Sequence, residues 1–569
     1  MRRLNSVVKM TPALLAALFA SVSIARIASP ASTQETEIEK DVQLRAMTDE
    51  LARSKTLQLS DLDKPYFIAV MVSDGDEISV SGSLGGLVSS SHVHLRYPRV
   101  DVRVGSYSLD NTNSVFSVAQ RLHAFPIDDD YPALRASLWL SSDALYKAAA
   151  DQIARKRNAL RELENSDKTP DFAPAPPVQV ILPPARPSAN QREWEASVRR
   201  LSAQFSKYPA VLSSSVRLMS VSSTYRLVNT EGTVVRVPQE LAEAEIRSRS
   251  LAPDGTAVWN HVFVAAHTPA ELPGESSFAG LIDKVAAETQ QLQNAPAMEA
   301  YTGPVLFEQQ AAAQMMAEVI ADAAILRRKP VAPAGSKQTT FLDSVWESRS
   351  GTRVAPDWLT LIDDPTRKSF HNEQLAGFYN VDDEGVPPKP VTLVEKGTLK
   401  SFLLTRQPVK TYNASNGHGR LPGQYGNEWP VIGNLFVEVA QPIPEAEMKT
   451  KLIDQVKAAG LKYGLLIRRI DFPSTASADE LQGIAQELQK RGYARTITPP
   501  LLAYRVYPDG REELVRGARF MEFSAKNLRD LLAASDRAYV LNYLNRGTSF
   551  NLADVGSNVS ISSVICPSL

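Results

Sequence analysis

Hydrophobic and polar positions alternate along much of the first part of the chain. Val100, Val102 and Val104 are separated by charged residues. This period of two is typical of a half-buried antiparallel strand, because successive side chains of a strand point to opposite faces. Gly105 and the polar run 110–113 then supply turn-forming residues. The pattern predicts strands over 66–72, 77–88 and 93–104.

Hydrophobic residues at helical spacing indicate helices in the same region. Trp194, Val198, Leu201 and Phe205 recur at i, i+4, i+7 and i+11, which places four large apolar side chains on one helix face. Ser142 is a favourable N-cap for another helix. The pattern predicts helices over 42–57, 142–163 and around 194–205.

A proline-rich segment and an antiparallel meander complete the first half. Seven prolines predict an extended loop over 170–187, since proline fixes φ and donates no backbone hydrogen bond. Residues 213–267 show strand-like runs broken by turn sequences at 229–232 and 252–255, which predicts the meander. A predicted helix over 277–294 follows.

The pattern of elements favours two domains of the α+β class. Pro296 follows the last of these helices, and we place a domain boundary there. The second half opens with a predicted strand at 304–307 and an Ala- and Met-rich helix over 308–326. Strands and helices interleave without the regular spacing of a doubly wound sheet. We therefore expect two α+β domains of antiparallel sheets with packed helices, spanning 32–295 and 296–569.

The first residues have the composition of an export signal. Three basic residues within the first nine precede an apolar stretch over 10–25, and small residues follow. This stretch is shorter than the roughly 20 residues that a membrane-spanning helix needs. We expect residues 1–31 to be a signal peptide and the mature protein to be periplasmic or secreted, without stable membrane insertion. The alternative is an uncleaved membrane anchor.

Charge and cysteine content exclude several classes of protein. The chain has 62 Lys and Arg residues against 63 Asp and Glu residues, for a formal net charge of -1. Nucleic-acid-binding proteins usually carry a basic excess, so we expect no nucleic-acid partner. Cys566 is the one cysteine, which excludes an intrachain disulfide and any multi-cysteine metal site.

Three motifs stand in order in the second half of the chain. They are DDEGV at 382–386, LVEKGTLK at 393–400 and SNGHGR at 415–420. Each is a common turn sequence alone, but the ordered set resembles the DDEG…GxLk…sTGNGR pattern of the TldD/PmbA family, also known as peptidase U62 or modulator of DNA gyrase. The resemblance covers roughly residues 40–569, loosely in the first half. It implies a two-domain α+β protein that works as a dimer.

The resemblance also directs attention to a zinc site. Active members of the family carry HExxxH on a helix and a later cysteine, which hold zinc while the glutamate activates a water molecule. In this chain Phe307 and Ala312 stand at the histidine positions, and Glu308 is kept. Neither replacement can bind a metal, and Cys566 does not match the family's cysteine. We expect no catalytic residue, no metal and no cofactor in this chain.

The sequence PVLF at 304–307, followed by an Ala-rich helix, is closer to the PmbA or TldE-like branch, whose members lack the metal site. The resemblance thus implies a TldE-like pseudoenzyme that supports proteolysis of peptides in a heterodimer with a TldD-like metallopeptidase subunit, or else a homodimer of the chain itself. The alternatives are an active zinc metallopeptidase with a non-standard site and a homodimeric peptide-binding scaffold.

Candidate residues for a peptide cleft come from the motif segments and from positions near them. They are Glu308, Asp382, Asp383, Glu384, Arg406, Asn416, His418 and Arg420. Two of them have a simpler interpretation. Glu308 is a carboxylate that favours a helix N-terminus. His418 replaces an asparagine of the family pattern and would stabilise its loop. His92 and His94 share a face of a predicted strand, but a protein metal site normally needs three or four ligands.

Overall fold

The computed structural model describes residues 37–59, 62–117, 125–163, 167–336, 343–423, 425–475, 482–484, 486–487, 490, 492, 496–545 and 560–569. Helices and mostly antiparallel sheets interleave along these residues, so the predicted α+β class is confirmed. Every helix among the described residues is too short or too polar to span a membrane. The expected signal peptide at 1–31 lies outside the described residues and stays a prediction.

A long β-hairpin forms the centre of the first half. Strands β1 (Pro65–Ser83) and β2 (Gly86–Ser106) pair antiparallel along almost their whole length. The prediction of three shorter strands is wrong here, because the chain reverses at Leu84 and Gly85, with φ of 49° and 86°. Positive φ at two successive positions matches the twist of the flanking strands. The alternation pattern alone does not mark this turn.

Five further strands extend the hairpin into a seven-stranded sheet. They are β3 (Leu109–Asp110), β4 (Gln179–Ile181), β5 (Ser213–Asn229), β6 (Val234–Leu251) and β7 (Ala257–Ala266). The order is β3-β2-β1-β5-β6-β4, and β7 pairs with another part of β6. β5, β6 and β7 form the predicted meander, with turns at 229–232 and 252–255.

The proline-rich segment 170–187 is extended, as predicted, and most of it lies at the surface, with residues 171–173 buried. β4 lies within it and pairs parallel with β6. Phe172 and Ala173 are buried, and the Phe172 ring meets that of Phe67 edge to face, with centroids 4.9 Å apart. The contact between the Phe172 ring and the sheet therefore holds this segment against the sheet.

Four helices pack on the first sheet: α1 (Val42–Ser54), α2 (Tyr131–Glu162), α3 (Gln191–Ala203) and α4 (Glu275–Asn294). The predicted start of the second helix at Ser142 is wrong, because the carboxylate of Asp130 accepts from the N–H of Ala133 at 2.8 Å and Pro132 occupies the first turn. Ser142 is buried inside α2 instead.

The face of the first sheet opposite the helices turns towards the second half. Phe67 and Leu227 share an apolar cluster with Val381 of the second half. Arg103 of β2 lies on this face and is 2% exposed, so β2 is buried on both faces there rather than half-buried as predicted. The predicted boundary after residue 295 falls between α4 and the next strand and stays a prediction.

Two sheets of the second half enclose one helix, α5 (Gln310–Ala323). The strands of this half are β8 (Val305–Phe307), β9 (Leu359–Asp363), β10 (Ser369–Phe370), β11 (Glu373–Gln374), β12 (Val391–Glu395), β13 (Thr398–Leu399), β14 (Gly419–Pro422), β15 (Glu428–Pro430), β16 (Asn434–Val439), β17 (Gly464–Ile470), β18 (Pro500–Val506), β19 (Glu512–Val515), β20 (Ala538–Asn545) and β21 (Ser560–Pro567). The larger sheet has the order β13-β12-β9-β16-β21-β20, and the smaller β19-β18-β17-β8. α5 packs against β17, β20 and β21, while α6 (Met448–Ala458) lies on the smaller sheet.

Candidate functional site

Two of the three motif segments lie directly against each other. The Asp382 carboxylate accepts hydrogen bonds from the backbone N–H groups of Glu384 and Val386, at 3.0 and 2.8 Å. It also accepts from the N–H of Gly419, at 3.1 Å. Asp382 is fully buried, so its carboxylate holds its own turn onto β14. A side chain at position 419 would come within 2.9 Å of the Glu384 carboxylate, which explains the glycine there.

Asn416 and His418 continue this buried network inside the second half. The Asn416 amide oxygen accepts from the N–H of Leu404 at 2.9 Å, and its amide nitrogen donates to the carbonyl of Phe402 at 2.8 Å. The His418 ring lies 2.9 Å from the Asn416 amide oxygen and, through Nε2, 3.1 Å from the Asp363 carboxylate. His418 and Asp363 are both fully buried, so this imidazole ties a loop to β9.

Arg406 joins these segments to the first half of the chain. Its backbone N–H donates to the Glu384 carboxylate at 2.7 Å. Its guanidinium donates to the carbonyl of Ala173 at 2.9 Å and to the Glu231 carboxylate at 2.6 Å. The guanidinium also lies over the ring of Phe172, 4.0 Å from the centroid. Arg406 is 1% exposed and therefore acts as an interior clamp.

Arg420 and Asp383 lie at the margin of the same network. The Arg420 Nε atom is 3.7 Å from the Asp383 carboxylate, and its guanidinium stacks 4.2 Å from the centroid of Tyr379. Both charged side chains keep a small contact with solvent, at 11% and 18% exposure. We call the seven joined residues the motif cluster: Asp382, Asp383, Glu384, Arg406, Asn416, His418 and Arg420.

Residues of the first half contact the motif cluster and its neighbour Glu428, and the sequence analysis missed them. Arg99 of β2 forms an ion pair with Glu428 of β15. Tyr225 of β5 donates to the backbone carbonyl of Asp383 at 3.0 Å. The available signal was slight: Arg99 is a charged residue beside a valine-rich strand segment. The motif cluster therefore lies at a contact between the two halves.

Burial of several carboxyl groups together changes their acidity. Burial raises the pKa of Glu384 to about 7, against the opposing effect of Arg406. Burial also raises the pKa of Glu428 to about 7, with the Arg99 guanidinium acting in the opposite direction. The pKa of Asp382 lies well above its usual range because of burial and the neighbouring Glu384 charge. The Glu384 and Glu428 carboxyls can therefore hold or release protons near neutral pH.

Apolar side chains occupy residues 307 and 312, the two positions that the resemblance aligns with zinc-binding histidines of the family. Phe307 ends β8 with 4% exposure, and its ring lies 5.9 and 5.6 Å from those of Phe520 and Phe523, centroid to centroid. α5 begins at Gln310, so Phe307 and Ala312 stand on different elements. Ala312 is fully buried. A phenyl ring and a methyl group offer no lone pair, so these residues do not fit a zinc ion.

Glu308 lies between these two positions and apart from the motif cluster. Its carboxylate accepts from the Arg468 guanidinium at 2.9 Å, and its side chain is 35% exposed. Its backbone N–H donates to the carbonyl of Ile467. Among the described residues, no hydrogen bond or ion pair connects its side chain to the motif cluster. Of the eight predicted cleft residues, the structure thus brings seven together and leaves Glu308 separate.

The histidine pair on β2 meets carboxylates of the neighbouring strand. His92 Nε2 lies 2.9 Å from Asp76, and His94 Nε2 lies 3.2 Å from Asp74. Both imidazoles are exposed. Within the described ranges, no three or more His, Cys, Asp and Glu side chains are grouped so as to hold a metal ion.

The family match falls in the second half of the chain. Residues 300–477 match the family described as PmbA/TldA metallopeptidase C-terminal domain. A metalloprotease of Archaeoglobus fulgidus is 39% identical over 80 residues, which are 14% of this chain and 17% of that protein. A metalloprotease TldD homolog of Buchnera aphidicola is 30% identical over 123 residues, 21% of this chain and 22% of its own length. The chain therefore matches less than a quarter of these curated relatives.

Solved structures extend the likeness to nearly the whole chain. TldE from Thermococcus kodakarensis superimposes with a TM-score of 0.52 at 12% identity, over 92% of this chain and 98% of that one. A candidate modulator of a DNA gyrase from Thermotoga maritima gives a TM-score of 0.54 at 13% identity, over 92% and 97%. Likeness at this level of identity concerns the fold.

Proposed function

We propose, from the premise that this chain belongs to the TldD/PmbA family, that it is a non-catalytic TldE-like subunit. In this proposal it supports the proteolysis of peptides by a metal-bearing TldD-like partner. The observation that carries the proposal is the apolar junction of β8 and α5. There Phe307 packs among aromatic rings and Ala312 lies in the core, so neither can hold the zinc that would activate water.

The state of Glu308 supports the same proposal. A zinc peptidase needs a carboxylate free to take a proton from a metal-bound water. The Glu308 carboxylate is instead engaged by Arg468, which also contacts Glu512 at 3.1 Å. The motif cluster has a structural role in this proposal, because its charged side chains fix the second half onto the first. A rigid connection of this kind suits a subunit that shapes a peptide channel.

Purification from the native host tests this proposal. A tag on the full chain is expected to co-purify a second protein that carries HExxxH and about one zinc per partner chain. The complex should hydrolyse unstructured peptides, and a chelator should abolish that activity. The chain separated from its partner should bind no zinc and cleave nothing. Stoichiometric zinc in this chain, with chelator-sensitive cleavage by it alone, would establish an active peptidase with a non-standard site instead.

A homodimeric peptide-binding scaffold is the other outcome of that purification. It would be indicated by recovery of this chain without any metalloprotease, together with binding of peptides that are not cleaved. Direct binding of a labelled peptide library to the purified chain separates this outcome from the first.

We also propose that the protein is exported, on the basis of its basic and then apolar first 31 residues. Sequencing of the mature N-terminus from the native host is expected to begin after residue 25 or 31. An intact N-terminus recovered in the membrane fraction would show an anchor instead.

A further inference from the structure

The contact between the two halves holds more acidic than basic side chains. Among the described residues, five carboxyl groups meet there, those of Glu231, Asp382, Asp383, Glu384 and Glu428. Three guanidinium groups lie beside them, those of Arg99, Arg406 and Arg420. If every carboxyl were ionised, the contact would carry an excess of two negative charges. A carboxylate away from water and without a cationic partner is costly, so the contact favours the protonated form of two carboxyls.

Other polar groups at this contact do not remove the excess. Arg103 of β2 lies at its edge, but the Arg103 guanidinium is 2.9 Å from the Asp101 carboxylate and 3.2 Å from that of Asp110. Tyr225 and Tyr379 donate their hydroxyl groups to backbone carbonyls, at 3.0 and 2.6 Å. The positive charge of Arg103 is thus balanced by its own carboxylates, and the two tyrosines add no charge.

Glu384 and Glu428 connect the halves through arginines. The Glu384 carboxylate accepts from the backbone N–H of Arg406 at 2.7 Å, and the Arg406 guanidinium binds Glu231 of the first half at 2.6 Å. Glu428 pairs with Arg99 of β2. The Glu428 side chain is 9% exposed, and its Oε2 atom has no hydrogen-bond partner among the described residues. Ionisation would therefore place negative charge on a buried oxygen that accepts no hydrogen bond.

We propose that Glu384 and Glu428 act as a pH-sensitive switch at the contact between the two halves. The contact is closed while both carboxyls carry protons. When they lose these protons, they are repelled by the neighbouring carboxylates, and the contact loosens so that water can solvate them. Asp382 lies on the same turn as Glu384 and is influenced by its charge, so these two carboxyls titrate as a pair.

The pH range of the switch follows from burial. Burial raises the pKa of Glu384 and of Glu428 to about 7, whereas a glutamate in water has a pKa of about 4.3. Between these two values the closed contact binds protons that the open contact does not. The closed contact is therefore favoured at low pH and loses this advantage as pH rises from about 4.3 to about 7.

Apolar contacts elsewhere between the halves limit the opening. Leu227 shares an apolar cluster with Val381, and Met219 and Leu241 share another with Leu544. These side chains do not titrate, so their contacts persist at high pH. The switch therefore loosens the motif cluster locally and leaves both halves folded and attached.

Hydrogen exchange measured by mass spectrometry on the purified full chain tests this inference. It needs no partner protein, so its outcome is independent of the proposed function. Exchange is followed at pH 5.5 and 8.5 and corrected for the intrinsic pH dependence of amide exchange. Peptides covering 382–390 and 402–408 report on the switch, and a peptide covering β9 at 359–363 reports on the core of the second half.

A double variant and a matched control identify the titrating groups. The variant with both Glu384→Gln and Glu428→Gln removes the two acids but keeps their side-chain oxygens as acceptors. Glu318→Gln is the control, because Glu318 is a buried carboxyl inside the second half that accepts from the N–H of Thr498 at 2.9 Å.

In the wild type and in Glu318→Gln, protection of 382–390 and 402–408 should fall by more than about tenfold between the two pH values, while that of 359–363 changes by less than about threefold. In the double variant the fall should be less than about threefold at all three peptides. Should the double variant fail to fold, Glu428→Gln alone is expected to show a smaller fall than the wild type. Unchanged wild-type protection at pH 8.5, an equal fall in the glutamine variants, or an equal fall over 359–363 would each overturn the inference.

Discussion

Two largely buried regions of the second half are opposite in character. At the junction of β8 and α5, Phe307 and Ala312 lie in an apolar core. In the motif cluster, polar groups such as Asp382 and Arg406 are buried together and make several hydrogen bonds. The ordered family motifs are thus built into the contact between halves, whereas the position that would carry zinc chemistry is filled by side chains that bind no metal. Resemblance in motif and the capacity to bind zinc at residues 307 and 312 are therefore separable in this chain.

The largest expected effect is the loss of the Arg406 clamp. Arg406→Ala removes two hydrogen bonds from the guanidinium and leaves the largely buried carboxylate of Glu231 without its cationic partner. Truncating one partner of a buried ion pair costs about 3–5 kcal/mol. Urea unfolding should show this loss, and Arg406→Lys should restore part of it. Arg353→Ala, which breaks an exposed pair with Asp357, should change stability by less than about 1 kcal/mol. Equal effects of the two alanine variants would contradict the clamp.

The apolar region should respond to volume rather than to charge. Phe307→Ala opens a cavity beside Phe520 and Phe523 and should cost about 3–4 kcal/mol in unfolding free energy. Phe307→Leu keeps most of the volume and should cost less than about 1.5 kcal/mol. The same urea titration measures both variants. If Phe307→Leu proved as damaging as Phe307→Ala, the ring would have a role beyond packing.

The sequence predicted which residues form the motif cluster better than it predicted which residues contact them. The segments 382–386 and 415–420 were expected together because their order resembles a family pattern, and they are in contact. Their partners Arg99 and Tyr225 stand far away in the chain, and no periodic pattern links a single charged or aromatic residue to a distant turn. The spacing of hydrophobic residues predicted well whether a segment is a strand or a helix, because it reflects which side chains are buried locally. It could not predict the reversal at Leu84, which depends on backbone φ.

The acidity of Glu428, which lies beside the motif cluster, predicts an effect of intermediate size. Because burial raises the folded-state pKa of Glu428 to about 7, against about 4.3 in an unfolded chain, the folded state holds an extra proton between these values. Its stability therefore falls as pH rises from about 5 to 8. Glu428→Gln should remove roughly 2 kcal/mol of this fall.

The stability of Glu428→Gln must be compared with that of the wild type at the same pH, because other buried groups also titrate. His261 has a pKa lowered to about 3 by burial, so it gives the opposite slope below about pH 6.5. Glu318 of α5 also has a pKa raised to about 7 by burial, and Glu318→Gln supplies the matched variant in the apolar region. Thermal unfolding at half-unit steps from pH 5 to 8 measures all three proteins. Parallel curves for Glu428→Gln and wild type would show that this carboxyl titrates normally.

The smallest expected effect is that of replacing Glu308. This replacement distinguishes a non-catalytic subunit from an enzyme. The Glu308–Arg468 pair is partly exposed, so Glu308→Gln should change stability by less than about 1 kcal/mol. In a complex reconstituted with the proposed metal-bearing partner, peptide hydrolysis should change by less than about twofold, because the arginine engages the carboxylate that would have to accept a proton from water. Removal of a general base lowers turnover by about 10²–10⁴-fold. A loss of that size, with zinc content and complex mass unchanged, would place Glu308 at the reacting centre and make this chain catalytic.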